Sequence, residues 1–334
     1  VRAAGDAAAG AFRQRVGTGP YFTYVSMFGD GGFGPVQAIS VDGGAPAGDI
    51  ELDVEPSGHA VAAWRQGDAM SLTVWASRYA PGSGWSAARA VASYPSSTFQ
   101  SAATVVTSQQ GQARVIWVAN DVDAGGFVTQ AVRWNGSDWS APEEVLPLTT
   151  LQQPQVLVAA ADDVGDVAVA FYRSGVGFES AVYQADAGTW AGTQLVASTS
   201  LPLQCQKPPL LVGEPQGFTF AACAQPGGAG TEQIVTQSWT SPSGWGGSSP
   251  LYPAGPNQFE TYRETRGVGL LWWRDTGGGG PLRYVVHRNG AWTSPADFSA
   301  APINGVYGSA SPAGKVTFYW LNASPSYYLA TEAN

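Results

Sequence analysis

The sequence is poor in charge, in lysine and in long apolar stretches. Charged residues make up 12% of the 334 residues, and the only lysines are Lys207 and Lys315. With a net charge of −9, the chain has no basic stripe to follow a phosphate backbone, which excludes nucleic-acid binding. It has no apolar run of 20 residues and no phosphate-loop or dinucleotide fingerprint. The sequence therefore predicts neither a membrane span nor a nucleotide cofactor.

Glycine, proline and apolar residues are abundant instead. The chain contains 43 Gly and 23 Pro, and 44% of its residues are hydrophobic. This composition indicates many short strands joined by tight turns. The chain begins at Val1 without a methionine or an apolar signal segment, so we expect it to be a piece of a longer, processed protein.

One aromatic residue recurs just after a turn rich in Gly, Asn, Asp or Ser. We call these residues the anchors: Phe33, Trp85, Trp139, Trp190, Trp245 and Trp292. They are separated by 52, 54, 51, 55 and 47 residues. A period of this length is typical of a four-stranded propeller blade.

The second repeat shows the strand order within one period. "DIELDVEPSG" alternates and ends in a turn, "HAVAAWRQ" follows as a second strand, "LTVWASRY" is a third, and "WSAARAV" is a fourth. We call these strands A, B, C and D. Strand B is apolar without alternation, which is typical of a sheet covered on both faces.

The two ends of the chain each supply an incomplete repeat with its own B and C strands. Five complete repeats and two incomplete ones predict an all-β fold, a single seven-bladed β-propeller of four-stranded antiparallel blades over residues 1–334. The approximate blade ranges are 1–40, 41–92, 93–147, 148–198, 199–252, 253–299 and 300–334.

This pattern resembles the seven-bladed propellers of bacterial secreted lectins. Their blades also run through an A strand, a polar turn, a B strand, an aromatic-rich C strand and a Trp that opens strand D. The turn "DAGTW" at 186–190 faintly resembles the Asp-box of sialidases but lacks its leading Ser. The resemblance implies a secreted, extracellular or periplasmic, binding module that recognises a glycan or a protein partner.

The recurring aromatics have a structural interpretation. Because the anchors occupy one position in six repeats, we interpret them as core residues between sheets. The same applies to the aromatics of strand B: Trp64, Trp117, Phe171, Trp273 and Trp320.

Charged residues that interrupt the apolar repeat are the candidate ligand site. Asp49, Glu51 and Asp53 lie on one A strand, and arginines including Arg13, Arg65 and Arg274 end B strands. The start of strand A and the end of strand B meet at one face, where we expect a binding site. Ion pairing between these arginines and neighbouring carboxylates is the structural alternative.

Further candidates complete this predicted face. Trp75 and Tyr94 are candidates to stack on a sugar, and Glu260, Tyr262 and Arg263 form a second polar set on another A strand.

An enzyme on the same scaffold, a polysaccharide lyase or a glycosidase, stays open as an alternative. Residues i, i+2 and i+4 of a strand, such as Asp49, Glu51 and Asp53, are spaced by about 7 Å, which permits a carboxylate pair. No motif marks a catalytic set, so we assign no catalytic residue. A structural or adhesive domain of a larger surface protein is a third possibility.

The cysteine and histidine content is small. Cys205 and Cys223 flank the hairpin turn at 214–217, and antiparallel pairing brings them within reach of a disulfide, with free buried thiols as the alternative. His59 and His287 fall in different repeats without ligands at suitable spacing. We therefore predict no metal and no cofactor.

Overall fold

The computed structural model describes most of the chain. The described residues are 2–4, 7–15, 21–29, 32–40, 50–67, 71–95, 103–108, 111–121, 126–150, 155–173, 176–198, 209–224, 233–252, 256–263, 267–275, 282–299, 304–310, 315–321 and 327–333. The described residues lie in strands, turns and short connecting segments, and none of them is in a helix. The prediction of an all-β fold of antiparallel sheets is confirmed.

The described strands form seven antiparallel sheets that follow one another along the chain. Sheet 1 contains β1 (Arg2–Ala4), β2 (Ala7–Arg15), β3 (Tyr21–Gly29), β4 (Gly32–Phe33) and β5 (Gln37–Ala38). Sheet 2 contains β6 (Glu51–Val54), β7 (Ala60–Gly67), β8 (Ser71–Ala80), β9 (Gly84–Trp85) and β10 (Arg89–Pro95). Sheet 3 contains β11 (Thr104–Thr107), β12 (Ala113–Asp121), β13 (Gly126–Arg133) and β14 (Glu143–Thr150).

The next sheets repeat this order. Sheet 4 contains β15 (Gln155–Ala161), β16 (Val167–Arg173), β17 (Gly177–Gln184), β18 (Thr189–Trp190) and β19 (Gln194–Ser198). Sheet 5 contains β20 (Leu210–Glu214), β21 (Gly217–Ala224), β22 (Gln233–Thr240), β23 (Gly244–Trp245) and β24 (Ser249–Tyr252).

Sheet 6 contains β25 (Pro256–Arg263), β26 (Gly269–Asp275), β27 (Leu282–Arg288), β28 (Ala291–Trp292) and β29 (Ala296–Ser299). Sheet 7 contains β30 (Asn304–Ala310), β31 (Lys315–Leu321) and β32 (Tyr327–Ala333). The strands predicted for the second repeat and the three strands predicted after residue 300 are thus confirmed.

Strand D is interrupted, and this interruption explains the recurrence of the anchor. In five sheets strand D has a two-residue first segment and a second segment of two to seven residues, both paired with strand C. The anchor ends the first segment and pairs with an aromatic ring of strand C, as Tyr79 pairs with Trp85 and Tyr183 pairs with Trp190. In sheet 3 an isolated bridge between Trp134 and Trp139 takes the place of that segment.

The core lies between consecutive sheets. Clusters of buried side chains join sheets 1 and 2, sheets 2 and 3, sheets 4 and 5, sheets 5 and 6, and sheets 6 and 7. In sheets 2 to 6 the described part of strand B is buried on both faces, and its aromatics Trp64, Trp117, Phe171 and Trp273 are at most 4% exposed. Their predicted core role is confirmed, while the side chain of Trp320 lies outside the described part.

The anchors are less uniform than predicted. Trp85 is buried and the other four tryptophans are half-buried, whereas Phe33 is 55% exposed. The prediction that Phe33 is a core residue is therefore wrong. The anchor Trp190, by comparison, donates its indole N–H to Glu143 of the preceding sheet 3.

The chain forms two compact units. The first comprises residues 1–155 and 183–192, and the second comprises residues 156–182 and 193–334. The prediction of one domain over residues 1–334 is not tested by this division and stays a prediction.

Candidate functional site

The first set of predicted charged residues lies at one end of sheets 1 and 2. Glu51 begins β6, and Arg65 lies near the end of β7, two residues beyond Ala63, which pairs with Glu51. Both are half-buried, and Arg13 holds an exposed position near the end of β2. Asp49 lies outside the described residues. A ligand-binding role for these residues stays a prediction.

Asp53 has a structural role. Its side chain is 1% exposed, and Oδ2 accepts hydrogen bonds from the backbone N–H of Thr107 at 2.8 Å and from the Thr107 hydroxyl at 3.0 Å. A buried carboxylate needs such donors to offset its desolvation. Asp53 therefore fastens β6 to β11 of the next sheet.

The two aromatics predicted to stack on a sugar are partly buried between sheets. Trp75 pairs with Trp64 and packs against the core of sheets 1 and 2. The Tyr94 hydroxyl accepts a hydrogen bond from Trp117 Nε1 at 3.1 Å and contacts Gln130 Oε1. Burial raises the pKa of Tyr94. Both rings thus contribute to sheet contacts.

The second predicted set lies in sheet 6 and is described by its backbone alone. Glu260 and Tyr262 pair with Trp272 and Leu270 across β25 and β26, and they share one face of the sheet. Arg263 lies on the other face, and Arg274 lies in β26. The side chains of these residues lie outside the described part, so their ligand role stays a prediction.

The remaining sequence predictions concern cysteines, metals and membranes. Cys205 lies outside the described residues, so the disulfide with Cys223 stays a prediction. In the part of the chain that the structure describes, no three or more His, Cys, Asp or Glu side chains come together as a metal site. No described helix is long and apolar enough to cross a membrane.

An aromatic cleft that the sequence analysis missed lies between sheets 1 and 2. It has a volume of about 680 Å³ and is lined by Met27, Phe28, Phe33, Gln37, Tyr79 and Trp85, together with three glycines and a proline. Phe28 and Phe33 meet edge to face at 5.4 Å, and Tyr79 and Trp85 are tilted at 5.6 Å. We call this the aromatic cleft.

Local geometry explains how the aromatic cleft forms. Strand pairing places Phe28 opposite Phe33 and Tyr79 opposite Trp85 at the corresponding ends of the two sheets. Gly84 adopts φ +80° in the tight turn before Trp85, a conformation that favours glycine. Phe28 and Phe33 are 40% and 55% exposed, so two of the four rings are open to solvent.

The aromatic cleft contains few polar groups. Nε2 of Gln37 donates to the backbone carbonyl of Trp85 at 3.5 Å. Trp85 itself is 8% exposed, and its indole Nε1 is buried without a hydrogen-bond acceptor. None of the lining residues that the structure describes is charged.

The equivalent place between sheets 3 and 4 holds charged groups. Arg114 and Arg133 pair across β12 and β13, and the Arg114 guanidinium lies 3.7 Å above the Tyr183 ring. Glu143 accepts a hydrogen bond from Trp190 Nε1 at 3.2 Å. We call these five residues the arginine cluster. Burial lowers the pKa of Arg114, while Tyr183 and Glu143 oppose that effect.

Two further polar pairs lie in the second unit. Arg173, which ends a B strand, makes a bidentate ion pair with Glu179 through Nε at 2.7 Å and Nη2 at 2.8 Å. His287 Nδ1 lies 3.1 Å from Glu214 Oε1. Burial lowers the pKa of His287 to about 4 and raises that of Glu214 to about 7. The first pair lies within sheet 4, and the second joins sheets 5 and 6.

Comparisons with known proteins concern the fold. No family model and no curated protein matches the chain. An ulvan lyase, a polysaccharide lyase solved with a GlcA(1–4)Rha3S saccharide, is 10% identical with a TM-score of 0.53, covering 98% of this chain and 89% of the lyase. This likeness shows a shared fold over nearly the whole chain.

Two other solved structures are similar at lower TM-scores. The fungal lectin of Aleuria aurantia, a six-bladed β-propeller, is 13% identical with a TM-score of 0.45, covering 84% of this chain and 90% of the lectin. The intramolecular trans-sialidase of Ruminococcus gnavus is 10% identical with a TM-score of 0.43, covering 81% of this chain and 89% of that one.

Proposed function

We propose that this chain is a secreted carbohydrate-binding module, a seven-bladed β-propeller that binds a saccharide in the aromatic cleft. Seven consecutive sheets of one strand order support the blade count. The observation that carries the function is the cleft itself, in which four aromatic rings, two of them exposed, surround about 680 Å³.

The chemistry of the cleft suits a sugar. The C–H groups on one face of a pyranose ring are apolar and pack against an aromatic ring, while its hydroxyls need polar partners at the edge. Phe28 and Phe33 offer exposed rings, and Gln37 and the backbone of the glycine-rich hairpins offer polar groups. An exposed apolar surface with a polar rim is typical of a binding site.

Binding of purified protein to an oligosaccharide array, followed by calorimetry, tests this function. Wild type should bind at least one saccharide, and Phe33→Ala should lower its affinity at least tenfold. Phe12→Ala is the matched control, because Phe12 is also an exposed aromatic of sheet 1, at 43%, but does not line the cleft. Equal affinities for Phe33→Ala and wild type would place the site elsewhere.

The predicted charged face at the start of the A strands is the alternative place for a site. Glu51→Ala combined with Arg65→Ala should then abolish binding with a small change in thermal stability. Incubation with polysaccharides, read out as new reducing ends or unsaturated uronates, tests for an enzyme. A crystal structure with another number of blades would contradict the proposed architecture.

A further inference from the structure

Two polar side chains face each other across the aromatic cleft, and both line it. Directly paired residues of neighbouring strands lie on the same face of a sheet. Gln37 pairs with Val25, which is buried between sheets 1 and 2, so Gln37 lies on the face of sheet 1 that looks toward sheet 2. Tyr79 pairs with Ala60 of the same buried cluster, so Tyr79 lies on the face of sheet 2 that looks toward sheet 1.

The hydroxyl of Tyr79 is open to solvent. Tyr79 is half-buried, and its contact with the Trp85 ring leaves the hydroxyl without a hydrogen-bond partner among the described residues. Some hydroxyls without a partner are buried, as in Ser108 and Thr129, but that of Tyr79 is not one of them. Water therefore reaches the Tyr79 hydroxyl, and a ligand in the cleft can take the place of that water.

The carboxamide of Gln37 is held in one orientation. Gln37 is exposed, and its Nε2 donates to the backbone carbonyl of Trp85 at 3.5 Å. Because a carbonyl oxygen only accepts hydrogen bonds, the amide nitrogen must be the atom that faces Trp85. Within the described part of the chain, no donor reaches the other amide atom, Oε1. Oε1 is therefore left as an acceptor for a ligand hydroxyl.

The corresponding groups of the arginine cluster have partners within the protein. Tyr183 takes the place of Tyr79 in its sheet, and its hydroxyl accepts from Arg133 Nη1 at 3.4 Å. Glu143 takes the place of Gln37, and it accepts from the next anchor indole at 3.2 Å. The same two positions of the repeat thus bond to the protein in one place and are open in the cleft.

We propose that Gln37 and Tyr79 hold one sugar ring of the bound saccharide by hydrogen bonds to two of its edges. Gln37 Oε1 accepts from a ring hydroxyl, and the Tyr79 hydroxyl donates to an oxygen on the opposite edge. We call this pair the polar clamp. The inference rests on the proposed carbohydrate-binding function and identifies the residues that select the ligand, which must carry free hydroxyls on two edges of one ring.

Tyr79→Phe tests one half of the polar clamp, because it removes the hydroxyl and keeps the ring. Calorimetry with an oligosaccharide that wild type binds should show an affinity about three- to tenfold lower, the range for one hydrogen bond. The Tm should not change, since the hydroxyl has no partner in the described protein. Tyr183→Phe is the matched control, because it removes the equivalent hydroxyl outside the cleft. Unchanged affinity in Tyr79→Phe would overturn its role.

Gln37→Met tests the other half, because it keeps the length of the side chain and removes the amide. We expect a similar loss of affinity, about three- to tenfold. Gln194→Met is the matched control. Gln194 also lies four residues after an anchor, but its Oε1 accepts from the backbone N–H of Trp245 at 3.3 Å, and it does not line the cleft. An equal loss in Gln194→Met, or no loss in Gln37→Met, would overturn the role of Gln37.

Analogues of the ligand that each lack one hydroxyl test the pairing itself. One analogue should bind wild type more weakly than the parent sugar does and bind Gln37→Met as well as the parent does, and a second should behave in this way with Tyr79→Phe. Losses that simply add would overturn the polar clamp. If wild type binds no oligosaccharide, the proposed function fails together with this inference, whereas full binding by both variants removes the polar clamp alone.

Discussion

The aromatic cleft and the arginine cluster occupy the same place in the repeat and carry different chemistry. Tyr79 and Trp85 of the cleft correspond to Tyr183 and Trp190 of the cluster, since each is a paired C-strand ring and anchor. Gln37 corresponds to Glu143, each four residues after an anchor. Glu143 accepts from the Trp190 indole, whereas Gln37 leaves the Trp85 indole without an acceptor.

The two places differ in how completely neighbouring side chains cover the same position of the repeat. In the arginine cluster Glu143 accepts from the Trp190 indole and the Tyr183 hydroxyl accepts from Arg133, although Arg114 Nε has no acceptor. In the aromatic cleft the Trp85 indole has no acceptor, and two rings remain exposed. A repeat can thus leave two rings exposed to solvent at one contact between sheets while a similar contact elsewhere is covered.

The largest expected effect is on the arginine cluster. Arg114→Ala should lower the free energy of unfolding by about 2–4 kcal/mol, because it removes a buried side chain and its contact with Tyr183. Urea denaturation measures the change. Arg13→Ala is the control, since Arg13 is an exposed arginine of the same unit. A loss similar to that of the control would show that the cluster is not a stabilising contact.

The contact between sheets 5 and 6 should depend on pH. There His287, which is titratable, pairs with the anchor Trp292 as Tyr79 pairs with Trp85. The pKa of Glu214 is raised from 4.5 to about 7, so its stabilisation is complete below pH 4.5 and is lost as the pH rises toward 7. The pKa of His287 is lowered from 6.5 to about 4, so its stabilisation is complete above pH 6.5 and is lost as the pH falls toward 4.

Glu214→Gln isolates the first of these two contributions. Between pH 4.5 and 7 the variant should gain about 1–2 kcal/mol relative to wild type, because it has no carboxyl to deprotonate. Urea denaturation at a series of pH values measures this difference. Parallel stability curves for the two proteins would contradict the raised pKa of Glu214.

The residue four positions after the anchor gives a direct test of the comparison. Glu143→Ala should lower the free energy of unfolding by about 1–2 kcal/mol, since it leaves the Trp190 indole without its acceptor. Gln37→Ala should lower the free energy of unfolding by less than about 0.5 kcal/mol, because the hydrogen bond from Gln37 to the Trp85 carbonyl is long, at 3.5 Å. Chemical denaturation of both variants measures these losses. Equal losses of unfolding free energy would contradict the distinction between Glu143 and Gln37.

The smallest effect concerns the turn before Trp85. Gly84→Ala should cost about 1 kcal/mol, because φ is +80° and a left-handed backbone disfavours a side chain. A Cβ there has nothing within 4 Å, so the cost is backbone strain alone. Gly247→Ala, also with open space around its Cβ, is the control at an ordinary φ. An equal Tm for both variants would contradict this explanation.

The sequence predicts the sheets well because their signal is local. Alternation, turn residues and the spacing of the anchors identify the strands of the second repeat, and doubly buried B strands such as β7 follow from their unbroken apolar composition. These features depend on neighbours within a few residues, so no knowledge of tertiary contacts is required.

The candidate site is harder to predict because it depends on contacts between sheets. Asp53 interrupts an apolar strand, as a residue of a binding site would. It accepts its hydrogen bonds from Thr107, however, which lies 54 positions away in the sequence. Phe33 shares the anchor motif but is exposed. A usable signal was present four residues after the anchors, where polar Gln37, Arg89, Glu143 and Gln194 each contact the next repeat.

Indole proton NMR tests the central claim most directly. The 13 tryptophans each give one Nε1–H resonance, and Trp85→Phe identifies that of Trp85 by its disappearance. Titration with an oligosaccharide that binds should shift the Trp85 resonance, because this residue lines the cleft, and leave those of Trp190 and Trp292 in place. A saturating ligand that leaves the Trp85 resonance unchanged would contradict binding in the aromatic cleft.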